Sequence, residues 1–167
     1  HDYKPEADEG TLVDNALANP IGSPRLSELA KGKKTCTIIS SDHTRPVPSH
    51  IIMPRLLKEL RAGNPDIQIT ILIATGMHRL TTKDELIAKY GKEIAENEHF
   101  VLHDARKDED MVSIGTLPSG GECLVNKVAI NTDLLVAEGF IEPHFFAGFS
   151  GGRKSVLPGV ASRITVL

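Results

Sequence analysis

Thr35-Cys36-Thr37-Ile38-Ile39-Ser40 and, some thirty positions on, Ile67-Gln68-Ile69-Thr70-Ile71-Leu72-Ile73-Ala74 decide the fold. Both runs are short, rich in β-branched residues and largely apolar, as strands covered on two faces are. Each is followed by a polar loop and then by a helical pattern. After the first comes Ser41-Asp42-His43-Thr44-Arg45-Pro46, and then a predicted helix from about Ser49 to Arg61. Its Ile52, Leu56 and Leu60 recur every four residues, with Gly63 as the stop. After the second comes Thr75-Gly76-Met77-His78-Arg79, and then a helix from about Thr82, with Asp84-Glu85 in its first turn, to Tyr90 before Gly91. Strand, loop and helix repeating in this order predict an α/β fold: a mostly parallel, Rossmann-like sheet with helices on both faces in three layers.

The remaining chain fits around that unit. A helical stretch near Lys92 to Glu96 leads into a strand at Phe100 to His103. Further strands are expected at Met111 to Ile114, Glu122 to Ile130 and Asp133 to Ala137. The segment 111–130 has room to be antiparallel, because no helical spacer separates its strands. Residues 2–24 are polar and read as an irregular lead-in, with a short helix after Ser23-Pro24. The expected division is a partial lead-in over 1–33 and an α/β domain over 34–167. The chain opens on His1-Asp2-Tyr3 and closes on Arg163-Ile164-Thr165-Val166-Leu167, a strand-like run without a stop signal. It reads as part of a longer protein.

Composition narrows the function classes. Apolar residues make up 40% and charged residues 25%, the balance of a globular domain. A net charge of −3 with scattered Lys and Arg argues against nucleic-acid binding, which needs a basic face. No run approaches the ~20 apolar residues of a membrane helix. Cys36 and Cys123 lie in strand-like runs and read as buried free thiols, which fits a reducing, cytoplasmic setting.

In an open α/β sheet the chemistry belongs in loops leaving the carboxyl ends of strands. Three loops qualify: 41–46, 75–79 and 139–155. His78 carries an imidazole, suited to proton transfer near neutrality, and Gly76 beside it permits a sharp turn. Alone, such a His is more often a structural hydrogen-bonder. His144 lies in a stretch from Phe140 to Phe149 that holds four of the five phenylalanines of the chain. That segment suits either a packed turn beneath a neighbouring domain or a site that stacks on a flat, electron-poor ring. Gly148-Phe149-Ser150-Gly151-Gly152-Arg153-Lys154-Ser155 resembles a phosphate loop, but Arg153 stands where that motif requires Gly. Its glycines still allow Lys154 to approach an anion or an electrophile. Asp42 and Arg45 flank Thr44, an arrangement that fits an Asx turn with a local ion pair as well as a ligand grip. His50, His99 and His103 fall on helix or strand readings and receive no role.

Taken together, and in order from Ser40 to the end, the 41–46 loop, Thr75-Gly76-Met77-His78-Arg79, and Glu142-Pro143-His144-Phe145-Phe146-Ala147-Gly148 through Gly152-Arg153-Lys154-Ser155 resemble the nickel-pincer-dependent lactate racemase family. The spacings from His78 to His144 and from His144 to Lys154 agree with that family's layout. The resemblance implies inversion of the hydroxyl-bearing carbon of a 2-hydroxy acid by hydride transfer to a nickel-pincer nucleotide. Lys154 would tether that cofactor, and His78 and His144 would be the two acid/base residues. Asp42, Thr44 and Arg45 would lie at its nucleotide end, and Phe146 would stack on its ring. The logic is coherent: the C–H is a poor proton donor, loss of hydride gives a planar keto acid, and no side chain accepts hydride. The resemblance further implies a nickel-ligand histidine beyond Lys154, a C-terminal domain that covers the site, and cofactor-biosynthesis proteins as partners. The fragment alone is expected to be inactive. Two rivals remain at this point: a non-catalytic nucleotide- or phosphate-binding module, and a His-based metal hydrolase, for which no tight ligand cluster is seen.

Overall fold

A computed structural model describes residues 4–145 and 148–167. The two apolar runs at 35–40 and 67–74 form β1 (Thr35–Ser41) and β2 (Gln68–Ala74), paired in parallel with Ile38 opposite Ile71 and Ile39 opposite Leu72. β3 (His99–Leu102) adds beyond β2, and β6 (Leu134–Ala137) adds on the other side of β1, so the parallel order is β3-β2-β1-β6. At the amino end, one Asp133 carboxylate oxygen accepts the N–H groups of Lys34 and Thr35 at 2.7 and 3.1 Å, pinning the start of β1 beside β6.

The apolar runs have no polar alternation because both faces are covered. Cys36 and Ile38 of β1 and Ile69, Ile71 and Ile73 of β2 point to one side. There they meet Met53, Leu56, Leu57 and Leu60 of α3 (Ser49–Gly63). Half-buried Leu17, Leu26, Leu86 and Ile94 complete that core from α1 (Glu9–Ala18), α2 (Leu26–Ala30), α4 (Lys83–Tyr90) and α5 (Lys92–Asn97). Ile39 and Leu72 point to the other side, against Val125, Ala129 and Val160. That second layer is thinner: β4 (Met111–Thr116) and β5 (Glu122–Asn126) form an antiparallel ribbon, followed by the single-turn α6 (Lys127–Ile130). A Thr37 hydroxyl donating to the Val128 carbonyl at 3.0 Å ties α6 to the sheet.

Four local readings are corrected, each by a capping or packing interaction. The lead-in is not irregular throughout: Asp8 accepts the Thr11 N–H at 3.0 Å and starts α1. The strand expected over Glu122 to Ile130 stops at Asn126, whose side-chain oxygen accepts the Val128 N–H at 3.0 Å and turns the chain into α6. The final run is helical, α7 (Arg163–Val166), because Ser162 caps it through the Ile164 N–H.

Gly63 is the fourth case. It lies inside α3, not past its end; Asn64 is the cap. A Cβ there would stand 1.9 Å from the Ser27 carbonyl oxygen of α2, so glycine lets two helix backbones touch. On an open helix face Gly→Ala stabilises by about 1 kcal/mol. Here overpacking of backbone on backbone costs about 1–3 kcal/mol or more. Gly63→Ala is therefore expected to lower stability in a urea titration; unchanged or raised stability would contradict the close approach.

Candidate active site

The chain leaves β1 to build β2 and β3 on one side and returns to place β6 on the other. This reversal opens a crevice at the carboxyl ends of the strands. A cavity of about 790 Å³ lies there, lined by Asp42, Arg45, His78, His144, Phe149 and Lys154 among others. The three loops singled out by the sequence thus converge on one space.

Asp42 follows β1 directly and is buried. One carboxylate oxygen accepts both the Thr44 N–H at 3.0 Å and the Thr44 hydroxyl at 2.6 Å, an Asx turn. The other oxygen lies 2.7 Å from His78 Nδ1. Burial pushes the Asp42 carboxyl up, but the Thr44 hydroxyl, His78 and the Thr44 amide outweigh it, and the group lies below its ordinary value. An ionised carboxylate can only accept, so Nδ1 carries the proton and Nε2 is left as the basic nitrogen. The ion partner of Asp42 is His78, not the neighbouring arginine. Arg45 lines the cavity and donates to the Thr44 hydroxyl at 3.3 Å. Thr44 spends its hydroxyl on Asp42 and is not among the cavity-lining residues.

His78 is presented by a sharp turn. Gly76 has φ +53°, a conformation that favours glycine, and its N–H donates to the Gly159 carbonyl at 2.9 Å. The His78 side chain is 49% exposed. Arg79 turns away and grips Glu85 of α4 with both terminal guanidinium nitrogens, at 2.9 and 2.5 Å.

Lys154 lies in a 3₁₀ turn, Gly152–Ser155, and its Nζ is buried with no hydrogen-bond partner among the described residues. Burial and the nearby Arg45 charge both hold its ammonium below the ordinary lysine value, against an opposing pull from Glu142. An amine so placed is more readily neutral and nucleophilic. His144 belongs to β7 (Pro143–His144), paired with β8 (Gly148–Phe149), and its ring stacks on Phe145 at 4.8 Å and 13°. Ser150 closes this hairpin, donating to the Phe140 carbonyl at 2.5 Å and accepting the Glu142 N–H at 3.0 Å. Phe146 lies outside the described residues. Among the described residues no group of three or more His, Cys, Asp or Glu is placed to hold a metal ion.

Sequence reasoning missed the supports of this site. Lys89, read only as the end of a helix, donates to the carbonyls of Asp42 and Arg45 at 3.0 and 3.2 Å and to the Ser41 hydroxyl at 3.3 Å. It stitches the first loop to α4. A lysine in a last helical turn signals carbonyl binding in general, but not which carbonyls. Beneath the loop, the Ser40 hydroxyl donates to buried Glu138 and lies 2.7 Å from the Tyr90 hydroxyl.

The lactate racemase N-terminal domain family matches residues 1–167. The chain belongs to the lactate racemase family. It is 59% identical over 165 residues to the lactate racemase of Lactiplantibacillus plantarum, and 61% identical over 160 residues to that of Thermoanaerobacterium thermosaccharolyticum. These matches take in 99% and 96% of this chain but 39% and 38% of the two lactate racemases. The structure of the T. thermosaccharolyticum lactate racemase apoprotein has the same fold, with a TM-score of 0.93 at 60% identity over 95% of this chain and 38% of that one. A Thermotoga maritima protein of known structure follows at a TM-score of 0.73 and 28% identity, over 84% of this chain.

The Asp42–His78 pair predicts a pH signature. A carboxylate whose folded value is depressed contributes stability above its unfolded value, ~3.9, and loses it as pH falls through the lower folded value. Subtracting the stability of Asp42→Asn from that of the parent between neutral pH and about pH 2 should leave a difference that shrinks below pH ~4. A difference independent of pH would contradict a buried, ionised Asp42.

Proposed function

We propose that this chain is the part of a 2-hydroxy acid racemase that tethers the cofactor and moves the hydroxyl proton, with lactate as the substrate its relatives' names point to. The observation that carries this reading is one cavity shared by two imidazoles and a buried amine that has no hydrogen-bond partner among the described residues. His78, its Nδ1–H directed to Asp42, presents Nε2 as a base for the substrate hydroxyl. The developing imidazolium is stabilised by the Asp42 carboxylate 2.7 Å away. His144, from the opposite loop, does the same for the other enantiomer. Two bases are needed because the hydroxyl of each enantiomer approaches from its own side.

The residues present fit a nickel-pincer nucleotide. Lys154 offers the amine for a covalent tether, the cavity has the size of a small-ligand site, and Arg45 supplies a guanidinium for an anionic group beside it. Phe146 is the proposed stacking partner for its ring. The chemistry such a group supplies when bound is the acceptance and return of hydride, which side chains cannot provide. The nickel ligand is assigned to a histidine of the longer protein a little beyond Lys154, the groups that cover the substrate to a C-terminal domain, and loading to separate cofactor-making proteins. The chain by itself is accordingly inactive. A cytoplasmic setting agrees with Cys36, a free thiol that burial pushes up to about 12, and with half-buried, free Cys123.

The test uses the full-length protein produced together with its cofactor-making enzymes. Lys154→Ala should lose the covalent mass adduct. His78→Ala and His144→Ala should keep it while racemisation falls by ~10²-fold or more. An adduct that persists in Lys154→Ala, or a histidine variant that racemises at the parent rate, would overturn the assignments. Undiminished function in both histidine variants would favour a non-catalytic nucleotide-binding module.

A further inference from the structure

We infer that His103 is a positioning residue that fixes the His78 loop and the Lys154 turn relative to each other. His103 follows β3, is fully buried, and has no place in the proton-transfer machinery. Its main chain is tied to the His78 side of the site: its N–H donates to the Ile73 carbonyl at 3.1 Å, and its carbonyl accepts the Thr75 hydroxyl. Its ring is tied to the Lys154 side, with Nε2 at 3.0 Å from the Ala161 carbonyl. One residue therefore spans the two segments that carry the proposed base and the proposed tether. A second strut runs parallel to it, from the Gly76 N–H to the Gly159 carbonyl at 2.9 Å.

The tautomer of this ring follows from its neighbours. Asn126 lies with its side-chain nitrogen 3.2 Å from His103 Nδ1, and its side-chain oxygen is already engaged by the Val128 N–H that starts α6. The amide cannot flip without losing that cap, so it presents a donor and Nδ1 must accept. Nε2 then carries the proton and donates to Ala161. A proton added to Nδ1 would set two donors face to face in a buried site. Burial holds the imidazole below its ordinary value, against the Ala161 carbonyl and the carboxylates of Asp104 and Asp110. His103 is thus a neutral, two-ended staple, and Asn126 sets its direction.

This inference rests on the proposed function only for the roles of His78 and Lys154. The test compares His103→Leu, which removes both ring bonds, with His103→Gln, which keeps a donor in reach of Ala161. Hydrogen exchange in the cofactor-free full-length protein should rise by about tenfold at both 75–80 and 152–162 in the Leu variant, for the loss of one buried bond. It should rise less in the Gln variant, with 35–41 and 68–73 as protected as in the parent. In the loaded enzyme, kcat should fall on the order of tenfold or more, with KM little changed, because the groups are misplaced rather than removed. Unchanged exchange in either loop, a rise that spreads equally over the central strands, or a Gln variant no better than Leu would overturn the inference. Absence of an adduct on Lys154 in the parent enzyme would instead overturn the proposed function, while the exchange data would still decide the role of His103.

Discussion

The carboxyl edge of the sheet depends on Asp42 being both buried and ionised. Taking a carboxylate out of water costs several kcal/mol, and such a group survives in a fold only when its lone pairs are used. Thr44 fills one oxygen with two hydrogen bonds, and His78 fills the other. Lys89 holds the backbone of the same loop from behind, where burial lowers its ammonium and the Glu138 and Asp42 carboxylates oppose that shift. The consequence for chemistry is direct. An acceptor fixed on one imidazole nitrogen leaves the other as the base, and fixes the plane in which it works.

Topology does the rest. The strand order brings the loops after β1, β2 and β6 to one crevice, although Asp42, His78 and Lys154 are far apart along the chain. The Lys154 segment is not free to drift, because it runs under the sheet as part of the second core layer, with Val160 fully buried. The cavity then combines polar groups, a carboxylate-held imidazole and a desolvated amine, with apolar ones such as Phe140 and Phe149. Ile141, Phe145 and Phe149 stand well exposed. A surface of that kind suits a site that the rest of a longer protein is proposed to cover.

The central strands and the helices on one face were legible because burial on two faces and a four-residue repeat leave plain patterns in sequence. The fold's departures were not, and each has a local cause. Asn126 looks like any residue of a β-branched run until its side chain is seen to cap α6 and to face His103. Gly63 looks like a helix stop, but its lack of a side chain serves a contact with Ser27, thirty-six positions away and invisible to any window. At the site, His78, His144 and Lys154 stood out because their loops are unusual in composition, and the cavity does gather them. The 41–46 loop allows an Asx turn and a ligand grip alike in sequence; the turn is formed, with the Thr44 hydroxyl committed to Asp42 and His78 rather than Arg45 as the ion partner. The supports, Lys89 and His103, carry no motif: one is a lysine at the end of a helix, the other a histidine after a strand. Their significance lies wholly in which distant atoms they reach.

The proposed chemistry turns on the state of one ring, and nitrogen NMR of His78 in the full-length protein, recorded at alkaline pH where imidazoles are neutral, reads it directly. A proton on Nδ1 with Nε2 bare is the predicted tautomer, and it should be lost or mixed in Asp42→Ala. A ring protonated on Nε2 in the parent protein would contradict the account, since the nitrogen proposed to take the substrate's proton would already hold one.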